Sequence, residues 1–107
     1  MIQTAIYSGC SISPQAAFFG GFLAQEIVKF TGKYSPLQQW LHYDIFVAIP
    51  TGEVNREPEG SRYDDQIVIF GREVQRKLES TKTFMVGAGA LGCEFVKAFA
   101  MMGLGCG

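Results

Sequence analysis

The stretch TKTFMVGAGALGCEFVKAFA, residues 81–100, decides the fold prediction for this chain of 107 residues. It opens with the short apolar run KTFMV, passes through three glycines and continues with apolar residues at helical spacing. Residues 82–86 therefore predict a short buried strand, and residues 91–102 predict a helix. A strand, a glycine-rich turn and a helix in this order are typical of an α/β nucleotide-binding domain.

The three glycines of this stretch form the pattern G-x-G-x-x-G at Gly87, Gly89 and Gly92. In such a loop the first glycine permits a tight turn, the second lets backbone amides approach a phosphate, and the third lets the helix pack against the strand. The amides of Ala90 and Leu91 are then expected to point at the anion, where the helix dipole also favours negative charge. Two interpretations stay open here: nucleotide binding, or glycines that serve helix–strand packing alone. The motif does not select the nucleotide, because the acidic residue that would hold a ribose is expected about 20 residues further on.

Composition excludes several other classes of protein. A net charge of −1 favours neither nucleic acid nor an anionic membrane as partner. The longest apolar segment, residues 16–30, is interrupted by polar and charged residues, so it predicts no membrane span, and the start of the chain does not resemble a secretion signal. Three cysteines without CxxC spacing predict neither a disulfide framework nor a metal site, which favours a reducing, intracellular setting.

The N-terminal half predicts one helix and one strand. The segment SISPQAAFFGGFLAQEIVKFTGK carries Ser13 as a cap, Pro14 at the first helical position and Gly32 as a left-handed stop. Because apolar residues occur on most of its faces, we expect this helix to be buried on most faces. Its glycine pair, Gly20 and Gly21, predicts the close approach of another backbone. The alternating run at residues 37–49 predicts a strand, so this half resembles the back end of a larger domain.

The C-terminal half begins after a punctuated stretch, residues 51–61, that predicts a linker. Asp64 or Asp65 is expected to cap a short helical run. A second helix over residues 72–80 is predicted to place Val74 and Leu78 on one face. Together with the glycine loop and its helix, these elements resemble the front end of a domain.

Most isolated reactive residues have a structural interpretation that outweighs a catalytic one. Cys93 lies near a helix N-terminus, which lowers thiol pKa values, but it has no neighbouring base in sequence and is expected to be a small buried core residue. His42 is expected in a structural or surface position, and the adjacent carboxylates at 64 and 65 are expected to act as caps. Cys10 and Cys106 are expected to be fillers. Arg62, which follows the linker, is of a type that can reach across an interface and bind phosphate bidentately.

Three stretches in this order resemble the ubiquitin-activating enzymes: SPQAAFFGGFLAQEIVKFTGKYSPLQQWLHYD, SRYDDQIVIFG and FMVGAGALGCEFVKAFAMMGLGCG. The resemblance covers nearly everything from Ser11 onward. It implies that residues 1–50 end an inactive adenylation half, that 51–61 form a linker, and that 62–107 begin the active half. The implied fold is α/β, a partial Rossmann-like adenylation fold of the ThiF/MoeB type that is incomplete in this chain. Because the end of the inactive half and the start of the active half lie in one chain, the resemblance favours the single-chain, ubiquitin-type activator.

The chemistry that the resemblance implies uses ATP and Mg²⁺ to adenylate the C-terminus of ubiquitin, which then forms a thioester and passes to a ubiquitin-conjugating enzyme. The catalytic residues, the thioester cysteine and the metal ligands are expected outside these residues, so the 107-residue chain alone is predicted to be inactive. Arg62 and Tyr63 match an interface arm, with Arg62 directed at the inactive half and mainly structural. The residues that match the ATP loop are Gly87, Ala88, Gly89, Ala90, Leu91 and Gly92.

The implied partners are ubiquitin, ubiquitin-conjugating enzymes and the remainder of the parent enzyme, with no nucleic acid and no membrane, in the cytoplasm and nucleus. Two alternatives belong to other classes: a fragment of a Rossmann oxidoreductase that uses NAD or FAD, and a non-catalytic interaction module.

Overall fold

A computed structural model describes Ala5 and residues 7–107 of the chain. The described residues contain four α-helices: α1 (Ser13–Lys29), α2 (Asp64–Phe70), α3 (Arg72–Ser80) and α4 (Ala90–Met102). A single 3-10 turn, Phe46–Ala48, interrupts the long connection between α1 and α2. All four helices were predicted, with boundaries within a few residues of those observed.

The two predicted strands, residues 37–49 and 82–86, do not form in the part of the chain that the structure describes. Residues 81–88 lie outside any helix and are exposed throughout. A segment becomes a strand only when a neighbouring segment supplies the partners of its backbone amides and carbonyls. Neither segment has such a neighbour among the described residues, so the α/β prediction is not confirmed and the described residues are helical.

The start of α1 differs from the prediction by one residue. Ile12, not Ser13, is the N-cap, and it makes no side-chain capping bond. Ile12 is 3% exposed, and because this side chain is fixed in the core, Ser13 falls inside the first turn. Its buried Oγ has no hydrogen-bond partner among the described residues. Pro14 was predicted at the first position of the helix and is its second residue. Beyond the helix Gly32 adopts the predicted left-handed conformation, with φ at 88°.

The surface of α1 is open where close packing was predicted. A Cβ added at Gly20 or Gly21 would meet nothing within 4 Å, so no backbone approaches this pair within the described residues. The helix has no buried residue, and Leu23 is 63% exposed. The prediction of burial on most faces is therefore wrong for the described chain, because the contacts of α1 with α4 and with Tyr43 leave most of its surface exposed.

One apolar cluster joins the two halves of the chain. Ile12 and Ile49 come from before the linker, and Ile69 comes from α2 after it. The partly buried residues packed against these three are Tyr7, Cys10, Ile45 and Phe70. Burial raises the pKa of the Cys10 thiol, and the nearby Asp65 charge raises it further. The segments before and after the linker thus share one core.

The α2–α3 hairpin is built around Gly71, whose φ is 91°. A Cβ at this position would lie 3.0 Å from Cβ of Val54, so only glycine fits both the conformation and the space. Immediately after it, the Arg72 amide donates to the Asn55 carbonyl at 2.9 Å. The Arg72 side chain donates to the Glu57 carbonyl at 2.9 Å and also pairs with the Glu59 carboxylate at 3.0 Å. The predicted linker is therefore attached to the hairpin along much of its length.

The two adjacent aspartates at the start of α2 point to different partners and neither caps the helix. The N-cap is Tyr63, without a side-chain capping bond. The Asp64 carboxylate instead accepts the amides of the preceding loop, which are those of Glu59, Gly60 and Ser61 at 3.0, 3.0 and 3.1 Å. Asp65 accepts the Ser11 amide at 2.8 Å. The predicted capping role is therefore wrong, because backbone amides upstream of the helix occupy both carboxylates.

Much apolar surface stays exposed. The accessible surface is 8373 Å², whereas a compact folded chain of 11.8 kDa exposes about 5900 Å². Many of the exposed apolar side chains lie on α1, on α4 and in the loops next to them; the most exposed include Phe30, Trp40, Val47, Phe84, Val86 and Leu91. Within the described residues, no helix has the length and apolar character needed to cross a membrane.

Candidate nucleotide-binding site

The glycine loop ends in the N-terminus of α4. Gly87 has φ at 92°, and Gly89 is the N-cap of the helix with extended backbone. The first hydrogen bond at this end runs from the Cys93 amide to the Gly89 carbonyl at 2.9 Å. Because the amides of Ala90 and Leu91 precede this bond, they are among the donors that a helix N-terminus leaves without helical partners. The helix begins at residue 90, one residue before the predicted start.

The second and third glycines have different surroundings. A Cβ at Gly92 would lie 2.6 Å from the Gly87 carbonyl oxygen, so a side chain at Gly92 would force the loop away from the helix. At Gly89 a Cβ would meet nothing within 4 Å. Gly92 therefore serves close packing in this structure, and Gly89 leaves open space beside the amides of the helix N-terminus. This arrangement fits the phosphates of a nucleotide; the assignment of residues 87–92 to ATP stays a prediction.

Cys93 does not occupy the buried position predicted for it. The side chain is exposed, and its Sγ donates to the Ala88 carbonyl at 3.3 Å. The buried position would require another element over this face of α4, and the described residues supply none. His42 and Cys106 are exposed as well, whereas Cys10 is partly buried. In the described part of the chain, no group of three or more His, Cys, Asp and Glu side chains is arranged to hold a metal ion.

The C-terminal end of α4 is held by several hydrogen bonds. Gly103 follows the helix with φ at 78°. The Leu104 amide donates to the Phe99 carbonyl at 2.9 Å, and the Gly103 amide donates to the Ala100 carbonyl at 3.4 Å. This pair of bonds is a Schellman motif, which satisfies carbonyls that a helix end would otherwise leave without partners. The glycine after a run of helical apolar spacing is the sequence signal that indicates it.

Two buried glutamines also bind this end of α4. Gln66 Nε2 donates to Gln75 Oε1 at 2.7 Å and to the Met102 carbonyl at 3.0 Å. Gln75 Nε2 donates to the same carbonyl at 3.3 Å and to Glu79 Oε1 at 3.1 Å. Gln66 is 7% exposed and Gln75 3%. The sequence analysis missed this pair; a glutamine directly beside the apolar residues of each short helix was the available signal.

The predicted interface arm lies against the same helix end. Arg62 Nη2 donates to the Ala100 carbonyl at 2.7 Å, and its guanidinium lies 5.0 Å from the centre of the Tyr63 ring. The Tyr63 ring packs on Gly103 so closely that a Cβ there would lie 2.7 Å from Tyr63 Cζ. A cation at the C-terminal end of a helix is stabilised by the helix dipole. The role of Arg62 and Tyr63 in an interface between two halves stays a prediction.

An apolar cavity of about 520 Å³ lies between α1 and the α2–α3 hairpin. Val74 and Leu78 both line it, which confirms that they share one face of α3. Phe18 and Tyr43 stack at its edge with ring centres 4.9 Å apart. Apart from the Tyr43 hydroxyl, the lining carries no ionisable group. The cavity is therefore lined mainly by apolar side chains.

Comparisons with known proteins agree with the resemblance of the sequence. Residues 63–106 match the ThiF family. The chain is 47% identical over 98 residues to Ubiquitin-activating enzyme E1 1 of Candida albicans (strain WO-1), covering 85% of this chain and 10% of that protein. It is 48% identical over 100 residues to Ubiquitin-activating enzyme E1 1 of Arabidopsis thaliana, covering 90% of this chain and 9% of that protein.

A mouse protein, Ubiquitin-like modifier-activating enzyme 1, is 46% identical over 111 residues, covering 98% of this chain and 10% of that protein. The chain thus spans about a tenth of the length of the curated relatives that it matches. The identity extends across both halves and the linker between them. The chain therefore matches a segment of the ubiquitin-activating enzymes over most of its length, and its residues 63–106 match the ThiF family.

Proposed function

We propose that this chain forms part of an enzyme that uses ATP to activate ubiquitin, and that residues 87–92 bind the phosphates of that ATP. The identity of 46–48% to ubiquitin-activating enzymes, which covers both halves of the chain, carries this proposal. The glycine loop supports it, because the space beside Gly89 is open and the amides of Ala90 and Leu91 lie at the N-terminus of a 13-residue helix. The carboxylate of ubiquitin would take the adenylyl group of ATP at the α-phosphorus, and the bond to the β-phosphate would break with release of pyrophosphate.

In this proposal the chain supplies phosphate binding and positioning. Backbone amides at the start of α4 hold negative charge and need no side chain to do so. In this proposal the metal ligands, the thioester cysteine and the remaining nucleotide contacts belong to other parts of the enzyme. The thioester would then pass ubiquitin to a ubiquitin-conjugating enzyme, in the cytoplasm and nucleus.

We further propose that residues 1–50 end an inactive adenylation half, that 51–61 link the halves, and that 62–107 begin the active half. The exposed apolar surface of α1 and of residues 81–88 supports this division. Phe84 is 93% exposed and Val86 86% exposed, and a continuous apolar run of this kind suits a strand that is buried inside a sheet. The rest of the enzyme would cover these surfaces and complete the sheet.

The test is ATP–pyrophosphate exchange that depends on ubiquitin, measured in the full-length protein that carries this segment. Gly89→Val should raise the KM for ATP by about ten-fold or more, because its side chain would enter the space beside the amides. The melting temperature of this variant should change little. The 107-residue chain alone should give no exchange.

Gly92→Val is the matched variant. Its side chain would collide with the Gly87 carbonyl, so this variant should lose melting temperature as well as ATP affinity. If the two variants lose the same stability, or if Gly89→Val leaves the KM for ATP unchanged, residues 87–92 do not form a phosphate loop. An oxidoreductase that uses NAD would show no exchange that depends on ubiquitin.

A further inference from the structure

The N-terminal end of α4, where the glycine loop lies, receives no side-chain hydrogen bond from outside the helix within the described residues. The side-chain donors that reach α4 from the rest of the described chain all bind its last turn, at Ala100 or Met102. At the N-terminal end the Gly87 carbonyl lies so close to the helix that a Cβ at Gly92 would come within 2.6 Å of its oxygen. Side-chain hydrogen bonds from the rest of the described chain therefore act on the C-terminal end of the helix, in addition to the contacts that α4 makes with α1.

We propose that Gln66 and Gln75 are positioning residues for the glycine loop, acting through the Met102 carbonyl at the far end of α4. This inference rests on the proposed function of the loop in ATP binding. The two side chains come from different helices, α2 and α3, and they meet on one carbonyl at 3.0 and 3.3 Å. The bond between the two side chains, 2.7 Å long, fixes each amide relative to the other.

The amide donors of this pair are fully used. Each Nε2 carries two hydrogens, and each makes two hydrogen bonds. A buried polar network in which every donor has a partner defines one arrangement, because each alternative leaves a buried donor or acceptor without a partner. The pair therefore fixes the last turn of α4 more specifically than an apolar contact of the same size would.

The length of α4 transmits this constraint to the loop. A helix of 13 residues is about 20 Å long, so a rotation of about 3° at one end moves the other by about 1 Å. A displacement of about 1 Å takes an amide donor out of the range of roughly 2.7–3.2 Å at which it binds an oxygen acceptor. Loss of the Gln66 and Gln75 bonds should therefore misplace the amides of residues 90 and 91, although the two sites lie at opposite ends of the helix.

The experiment measures the KM for ATP, kcat and melting temperature of the full-length protein in the exchange reaction. Gln66→Met and Gln75→Met keep the size of each side chain and remove its donors. The double variant should raise the KM for ATP by about ten-fold, with a smaller change in kcat, and each single variant should raise it about three-fold. Ile67→Val is the control, because Ile67 is 1% exposed on the same helix and makes no bond to α4. It should lower the melting temperature and leave the KM within about two-fold.

The outcomes separate the two proposals. If Gly89→Val raises the KM for ATP and the glutamine variants behave as Ile67→Val does, the positioning role is wrong and the ATP loop stands. If Gly89→Val has no effect on the KM, the proposed function itself fails. If the double variant does not fold, the single variants test the inference, because each retains one bond to Met102. A rise in the KM for ATP without a matching fall in melting temperature supports the inference. A fall in melting temperature without a rise in the KM for ATP overturns it.

Discussion

The helix α1 is more apolar than the α2–α3 hairpin, with nine apolar residues of 17 against six of 17 over residues 64–80, yet the hairpin is the better buried of the two. In the hairpin, Ile67 is 1% exposed and Ile69 is 5% exposed, and the polar side chains of Gln66 and Gln75 are also buried. In α1 no residue is buried, and Ile27 is 59% exposed. Apolar composition therefore did not determine burial in this chain.

The difference lies in the polar contacts around each element. Side chains of the hairpin bind backbone groups of neighbouring segments. The Asp64 carboxylate accepts amides of the preceding loop, and the Arg72 guanidinium donates to carbonyls of the same loop. The glutamine side chains donate to the Met102 carbonyl at the end of α4. In α1 the Glu26 carboxylate accepts hydrogen bonds only from the Lys29 ammonium and the Leu37 amide. These bonds lower the pKa of Glu26, the Lys29 bond most of all. They tie α1 to its own C-terminal loop, and most of the apolar surface of the helix stays exposed.

Gly103→Val should be the most damaging substitution in the hairpin region. The position combines φ at 78° with a Cβ site 2.7 Å from the Tyr63 ring. Backbone strain and overpacking together should cost about 4 kcal/mol of unfolding free energy. Gly20→Ala in α1 is the matched change, because its site is open, and it should stabilise by about 0.5–1 kcal/mol. Chemical denaturation of both variants measures the contrast, and a similar loss in both would remove the distinction between the two regions.

Ile67→Ala and Ile27→Ala compare the same deletion in the two regions. At the buried position, lost burial and the remaining cavity should cost about 3 kcal/mol. At the exposed position of α1, the cost in the 107-residue chain should be under about 0.5 kcal/mol. In the full-length protein the cost at Ile27 should rise to about 2 kcal/mol if another part of the enzyme covers α1. A small cost at Ile27 in both forms would show that this face of α1 stays open to solvent.

The sequence correctly predicted the elements that depend only on residues close together in the chain. Helical spacing and terminal signals identified all four helices, and Gly32 adopts the predicted left-handed conformation. Strands at 37–49 and 82–86 could not be predicted in the same way, because a strand requires partners that lie elsewhere in a chain. The prediction that Cys93 is buried is wrong for a related reason, since burial depends on what packs against a helix face. The contacts of Gln66 and Gln75 join segments up to 36 residues apart, and no local pattern predicts them.

The smallest expected effect concerns the pH dependence of the hairpin region. The amide of Glu59, first among several donors, lowers the pKa of Asp64 from its ordinary value of 3.8. A carboxylate with a lowered folded-state pKa stabilises the protein above its ordinary pKa, and this contribution is lost as the pH falls through the lower folded-state value. Asp64→Asn should therefore flatten the fall in melting temperature below about pH 4. Thermal melts of both proteins from pH 7 to pH 2 test this, and parallel curves would contradict the role of Asp64.

The attachment of the linker to Arg72 also limits how far the two halves of the chain can separate. Eleven free residues could span about 36 Å when fully extended. The bonds from Arg72 to Asn55 and Glu57, and those from the amides of residues 59–61 to Asp64, leave only residues 51–54 without such attachment to the hairpin. Four residues reach about 13 Å. While these bonds hold, residues 51–61 act as a short tether, and a larger separation of the halves first requires Arg72 to release the loop.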